Sequence, residues 1–190
     1  EPNDITDEVV GEVTFKVGDV VTNPNYRTKD GDAAFLDIGT KLYKVKGFLE
    51  NKLIAAKDNR RIGGYRLYAE KKEFETLNLH YNDVPKHKVE RIELFHSGDT
   101  TAFRTLTDME KETFIQLLDS GKDSPGYTRN NANGDPNYYD MVFYTDDPIA
   151  YNYSLIDDGD HVYFHPWNTR IVDDEIRTLI QVETISNSGE

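Results

Sequence analysis

Cysteine is absent from the 190 residues of the chain. This excludes disulfide bonds, thiol nucleophiles and zinc sites built on thiolates. No stretch approaches the roughly 20 apolar residues of a membrane-spanning helix, so we predict a soluble chain. Positive charge is outweighed, since 22 Lys and Arg stand against 35 Asp and Glu and the net charge is −13. This argues against nucleic acid as a partner, because phosphate binding requires a basic surface.

The charge is unevenly distributed along the chain. Residues 13–81 contain 13 Lys and Arg against 9 Asp and Glu, a balance of +4; residues 82–190 contain 9 against 21, a balance of −12. This asymmetry predicts two modules, or two faces with different partners, although an acidic surface can also serve solubility alone. Pro85 favours a boundary near residues 82–87.

The first part of the chain predicts a small all-β module. Residues 1–12 form an acidic lead, and short alternating segments follow through residues 13–81, separated by Gly, Asp and Asn turns. The segments are "EVTFKVGDVV", "AAFLDI", "KLYKVKGF", "NKLIAAKDN" and "YRLYAE". Five or six short strands without a helical period predict a small barrel or a curled sheet.

The clearest helix signal is "TDMEKETFIQLLDSG". Thr107 and Glu110 have the spacing of a capping box, and Gly121 is a natural end. The apolar stripe of this helix consists of Phe114, Leu117 and Leu118.

Residues 82–185 therefore predict an α+β module with the order β-β-α-β-β-β-α. The strand candidates around the first helix are "KVERIELF", "TAFRTL", "YYDMVFYT", "AYNYSLI" and "HVYFH", and "DDEIRTLIQVE" predicts a second helix. We expect an antiparallel sheet with both helices packed on one face. Residues 186–190 are a polar tail.

The segment "HVYFHPWN" contains two of the five histidines and the single tryptophan. Val162 and Phe164 favour a strand, in which His161 and His165 point the same way about 13 Å apart. A zinc ion holds its ligands at about 2.0–2.1 Å and cannot bridge that gap. We therefore predict no metal site and no cofactor here.

Calcium is a weaker alternative at the turn "DDGD". Asp157, Asp158 and Asp160 offer the carboxylates that calcium prefers. The neighbouring loop "NNANGDPNYYD" does not match the spacing of a calcium-binding EF-hand loop, because Arg129 would occupy its first position. A solvated turn is the simpler interpretation.

No catalytic motif is recognisable, and we assign no catalytic residue. The serines lack a nucleophile-elbow setting, and neither a dinucleotide-binding glycine motif nor a P-loop is present. Carboxylates that could serve a hydrolase are too abundant to single out a pair. The sequence favours a binding protein over an enzyme.

Tyrosine is concentrated in the second half of the chain, and this predicts a binding surface. The tyrosines are Tyr127, Tyr138, Tyr139, Tyr144, Tyr151, Tyr153 and Tyr163. If Val162 and Phe164 face the helices, His161, Tyr163 and His165 face away from them, on a side that we expect to be uncovered. The candidate binding residues are His161, Tyr163, His165, Trp167, Tyr151 and Tyr153. The alternative is that the tyrosines pair across strands to stabilise a solvated sheet.

Trp167 follows Pro166 at the end of this strand and allows two interpretations. A single tryptophan there is typical of a plug that seals a helix against a sheet. Its functional alternative is a stacking platform for a sugar ring or a proline-rich peptide.

The runs "DIGTKLYKVKGFLENKLIAAKD", "VERIELF", "LTDMEKETFIQLL" and "YDMVFY" resemble the ectodomains of uncharacterised, lipoprotein-like envelope proteins of Gram-positive bacteria. The resemblance covers most of the chain and implies an extracellular or cell-surface protein. It carries no catalytic residues. The lipid-bearing cysteine of such proteins is not in this sequence, so an anchor would have to lie upstream.

We therefore expect a non-enzymatic, extracytoplasmic binding protein of the cell envelope, whose partner is a protein or a cell-wall component. The alternative is a ligand-binding module for a cell-wall glycan or a divalent cation. A hydrolase with an unrecognised carboxylate pair is a third interpretation.

Overall fold

The computed structural model of the chain describes residues 4–18, 20–50, 52–77, 79–132 and 134–181. The chain divides into two compact units, Glu1–Asn78 and Leu79–Glu190. The architecture is α+β, as predicted, with mostly antiparallel sheets and short helices.

The first unit is built on a four-stranded antiparallel sheet. Its strands are β1 (Ile5–Glu12), β4 (Lys41–Val45), β5 (Leu53–Lys57) and β6 (Tyr65–Ala69), in the order β1-β4-β5-β6. Two shorter strands, β2 (Phe15–Lys16) and β3 (Asp32–Ala33), form a separate parallel pair, and a short helix α1 (Lys71–Phe74) follows β6. The strands β4, β5 and β6 coincide with three of the predicted segments.

Strand β1 lies in the stretch that the sequence analysis treated as an acidic lead. It pairs with β4 across two irregularities in register, one between Ile5 and Val9 and one between Val9 and Gly11. Charged side chains and bulges are common on edge strands, because they oppose pairing with another chain. The acidity and imperfect alternation that hid this strand are thus properties of a sheet edge.

The predicted strand "AAFLDI" is mostly a loop. Only Ala33 belongs to β3, and Phe35 and Ile38 are strongly exposed. The sheet ends at β6, and no closed barrel forms in the part of the first unit that the structure describes. An open four-stranded sheet therefore replaces the expected barrel.

The second unit contains a seven-stranded antiparallel sheet. Its strands are β7 (Arg91–His96), β8 (Arg104–Thr105), β9 (Lys122–Asp123), β10 (Asn137–Tyr144), β11 (Tyr151–Asp157), β12 (Val162–Phe164) and β13 (Arg170–Val172). Their spatial order is β8-β7-β10-β11-β12-β13-β9. The predicted order lacks β9 and β13, whose two or three residues are too few to show a period of their own.

Helix α2 (Asp108–Ser120) begins as predicted. The Thr107 side chain accepts a hydrogen bond from the Glu110 backbone N–H, and the Glu110 carboxylate accepts one from the Thr107 backbone N–H. Gly121 ends the helix with an ordinary φ of −57°. The requirement for glycine is steric, because a Cβ there would lie 2.8 Å from the Ile171 carbonyl oxygen.

Helix α3 (Ile176–Ile180) is the predicted second helix in shortened form. Both helices bury the predicted apolar residues in one cluster with a single face of the sheet. The residues are Phe114, Leu117, Leu118, Ile176, Leu179 and Ile180 from the helices, and Ile92, Leu94, Met141, Phe143, Leu155, Val162, Phe164 and Val172 from the strands.

The ring of Tyr81 lies inside this cluster and is fully buried. Its centroid is 4.9 Å from that of Phe164, 5.7 Å from that of Tyr153 and 6.0 Å from that of Phe143. Its hydroxyl donates a hydrogen bond of 2.9 Å to Asp119, near the end of α2. Burial and the nearby carboxylate raise the pKa of Tyr81 far above its usual value.

The predicted boundary assigns Tyr81 to the first module, whereas this residue packs in the core of the second unit. Independent folding of residues 13–81 and 82–185 stays a prediction. The tail at 186–190 lies outside the described residues. None of the helices in the described ranges combines the length and the apolar character that crossing a membrane requires.

We expect Tyr81→Ala to lower the free energy of unfolding by about 3–5 kcal/mol, as other truncations of core aromatics do. Tyr81→Phe keeps the ring contacts and loses one hydrogen bond, so its cost should be about 1 kcal/mol. Urea titration followed by the fluorescence of Trp167 measures both. The control is Met109→Ala on the exposed side of α2, and equal midpoints for Tyr81→Ala and this control would contradict a central role for Tyr81.

Candidate functional site

Strand β12 is oriented as the alternation predicts. Val162 and Phe164 are fully buried in the core cluster beneath the two helices. His161, Tyr163 and His165 therefore point to the opposite face of the sheet. Both histidines are exposed.

The expectation that this opposite face is uncovered is wrong at its centre. Tyr163 is only 4% exposed. The ring of Tyr127, from the segment between β9 and β10, lies 5.0 Å from the ring of Tyr163 and 5.6 Å from that of His161. The same face also buries Val142 and Ile156. Tyr127 thus covers Tyr163, which strand alternation alone would leave in solvent.

Tyr151 and Tyr153 do not join the candidate surface. Their register with Phe143 and Met141 puts them on the helix side of the sheet, where both pack against the core cluster. Tyr153 donates a hydrogen bond of 2.8 Å to the Leu79 carbonyl, and burial raises its pKa. These two tyrosines stabilise the second unit internally.

Trp167 is 75% exposed, so the interpretation as a plug is wrong. The preceding Pro166 is buried, and the chain then turns into β13 instead of a helix. The indole ring contacts the imidazole of His80, with the two centroids 5.0 Å apart and the rings tilted by 60°. His80 is itself exposed, so the two rings form an aromatic pair at the surface.

The turn between β11 and β12 is organised by the buried carboxylate of Asp158. It accepts hydrogen bonds from the Tyr127 hydroxyl at 2.5 Å and from the backbone N–H groups of Asn130, Asp160 and His161 at 2.9–3.1 Å. Burial raises the pKa of Asp158, but these hydrogen bonds outweigh it and hold the pKa below its usual value.

The carboxylate of Asp157 is also engaged, by two hydrogen bonds of 2.9 Å from Arg177. Two of the three carboxylates of the calcium interpretation, those of Asp157 and Asp158, therefore already accept hydrogen bonds from the protein. In the described ranges no group of three or more His, Asp or Glu side chains is placed to hold a metal ion.

A cavity of about 590 Å³ lies in the first unit, on one face of its sheet. Leu42, Ile54, Ala56 and Tyr68 line it from three adjacent strands, in the registers Leu42↔Ala56 and Ile54↔Tyr68. Residues 31–37 form a wall. The cavity thus has an apolar floor that is three strands wide.

One end of the cavity is formed by the turn after β5 and is rich in arginine. Asp58 contacts Arg60 at 3.0 Å, Arg66 at 3.3 Å and Arg61 at 3.8 Å. The pKa of Asp58 lies below its usual value, chiefly because of the hydrogen bond with Arg60, although desolvation acts in the opposite direction. One carboxylate thus faces three guanidinium groups.

None of the residues predicted for binding from the sequence lies in this cavity. Its signal was present in "DNRRIGGYR", which places three arginines within seven residues around a hairpin turn. Periodicity identifies the strands of a hairpin but not the concavity between a sheet face and a distant loop, because that depends on tertiary packing.

We expect Asp158→Asn to destabilise the protein at pH 7 by roughly 1–3 kcal/mol, because its amide nitrogen cannot accept the hydrogen bonds that the carboxylate does. The pKa of Asp158 is lower in the folded than in the unfolded state, so its carboxylate stabilises the fold fully at pH values above the unfolded-state pKa of about 3.9. This stabilisation is lost as the pH falls through the lower, folded-state pKa. The acid-dependent loss of stability should therefore be smaller in Asp158→Asn. Urea titrations between pH 7 and pH 2.5, with the exposed Asp135→Asn as the matched control, test this; parallel profiles for the wild type and Asp158→Asn would refute it.

No family model matches the chain, and searches of curated proteins and of solved structures found no significant match.

Proposed function

We propose that the chain is a non-enzymatic, extracytoplasmic binding protein of the Gram-positive cell envelope, and that its second unit binds a cell-wall glycan at Trp167. We call the Trp167–His80 ring pair the Trp167 platform. The observation that carries the proposal is the 75% exposure of the only tryptophan in the chain. Large aromatic rings are normally withdrawn from water, and an exposed ring held by a neighbour is available for a ligand.

Polar residues adjoin the Trp167 platform in the sequence. Asn82, His165 and Asn168 are exposed and lie within two residues of one of the two rings in the sequence. His165 also shares a hydrogen bond of 3.2 Å with the Thr169 hydroxyl. A sugar ring presents an apolar face and hydroxyl groups around its edge, so an indole flanked by amides and imidazoles matches its chemistry.

A protein partner is a poorer match to this surface. A stable protein interface buries about 800 Å² per partner and has an apolar centre. The large hydrophobic side chains exposed in the described part of the second unit are Met109, Tyr138 and Trp167. Within the described residues, the ring that Trp167 contacts is that of His80, and no ring contact joins Trp167 to Tyr138. A ligand the size of one or a few sugar rings needs only the Trp167 platform.

A cation is also disfavoured as the ligand. The carboxylate of Asp157 accepts hydrogen bonds from Arg177, and that of Asp158 accepts them from Tyr127 and backbone N–H groups. Binding calcium would require these hydrogen bonds to break. The resemblance to lipoprotein-like envelope ectodomains supports the extracytoplasmic part of the proposal.

Trp167 reports directly on the proposed site, because no other tryptophan contributes to the fluorescence. We expect soluble fragments of Gram-positive peptidoglycan to shift the Trp167 emission to shorter wavelength as a sugar ring replaces water on the indole. In sedimentation with purified, protein-free cell walls, Trp167→Ala should weaken binding about 30-fold or more, since truncating a hot-spot tryptophan costs about 2 kcal/mol or more. Trp167→Phe should retain part of the affinity.

The matched control is Tyr138→Ala, which removes another exposed aromatic side chain of the same unit. Equal sedimentation of the wild type and Trp167→Ala would refute the glycan site. Binding to intact cells that protease treatment abolishes, without binding to protein-free walls, would show a protein partner instead.

A further inference from the structure

The cavity of the first unit is independent of the Trp167 platform and has the features of a small-molecule site. Its volume of about 590 Å³ is within the usual range of ligand pockets, about 300–1,000 Å³. Apolar walls with a few polar groups are also typical of such pockets.

The floor provides a surface for an apolar group. Leu42, Ile54 and Tyr68 are partly exposed within the cavity, although they point away from the small core formed by Val45, Leu53 and Ala55. Phe35, at the wall, is 85% exposed. Covering these side chains would bury apolar surface that the unit itself leaves in water.

At one end of the cavity, the positive charges of the arginines outnumber the single carboxylate that they contact. Asp58 balances one of three guanidinium groups, and Arg60 and Arg66 line the cavity directly. Each guanidinium has five N–H donors in a planar fork that suits carboxylates and phosphates. Within the described residues, Asp58 is the one carboxylate in ion-pair contact with these three arginines.

The other two carboxylates of the lining are already engaged. Asp37 pairs with Lys16 at 2.9 Å. Asp32 accepts hydrogen bonds from the Tyr26 hydroxyl at 2.7 Å and from the Lys29 backbone N–H at 2.8 Å. The positive balance at the arginine end is consistent with the balance of +4 over residues 13–81.

We propose that this cavity binds a small amphipathic anion. The carboxylate or phosphate of the ligand contacts Arg60 and Arg66, and its apolar body lies on Leu42, Ile54 and Tyr68. An organic cation is repelled at the arginine end, and an anion without an apolar body lacks the contacts of the floor.

Isothermal titration calorimetry on the full chain tests the proposal with four probes: octanoate, octyl phosphate, octyltrimethylammonium and acetate. We expect saturable binding of octanoate or octyl phosphate, at least tenfold tighter than that of octyltrimethylammonium or acetate. The stronger of the two anions identifies the head group. Affinity should also fall as salt is added, because the arginines are exposed to screening.

Arg66→Gln and Arg60→Gln should each weaken binding of the preferred anion about tenfold, a loss equivalent to ~1.4 kcal/mol. The matched control is Arg27→Gln, which changes the same charge on an exposed residue of the same unit outside the cavity lining. Far-UV circular dichroism confirms that each variant is folded. Three results would overturn the proposal: no binding of either anion, equal binding of the octyl cation, or the same loss in Arg27→Gln as in the cavity variants.

Discussion

The second unit depends on one buried phenol. Tyr81 joins the segment that begins the unit to the sheet, through ring contacts with Phe143, Tyr153 and Phe164, and to the end of α2, through Asp119. Lys86 completes this arrangement, since its ammonium lies 2.7 Å from the Asp119 carboxylate and 4.6 Å from the centre of the Tyr81 ring. A buried hydroxyl without an acceptor would destabilise the core, so the position of the helix end is coupled to that of the sheet.

This coupling determines which side chains remain for binding. The helix face of the sheet is filled, and it includes Tyr151 and Tyr153. The opposite face is covered at Tyr163 by a segment that Asp158 holds in place through Tyr127 and Asn130. Trp167, between β12 and β13, stays exposed beside His80, and His161 and His165 stay exposed on either side of Tyr163. The candidate surface of the second unit is therefore smaller than a tyrosine-rich strand pattern suggests.

The first unit has a small core and a cavity on the other side of its sheet. Its fully buried side chains include Val45 and Ala55 on one side of the sheet, whereas Ile54 and Tyr68 on the other side line a cavity. An open, apolar sheet face with cations at one end is suited to a small ligand. The two units thus carry two proposed binding sites of different chemistry.

The sequence by itself determined the local features, because these depend on neighbouring residues. Examples are the capping box at Thr107, the apolar stripes of both helices and the inward direction of Phe164, which follow from helix and strand periods. The strands β9 and β13, the cover over Tyr163, the exposure of Trp167 and the cavity were decided only by tertiary structure. Each depends on segments far apart in the chain, such as Tyr127 and Tyr163, and no local period encodes how such segments meet.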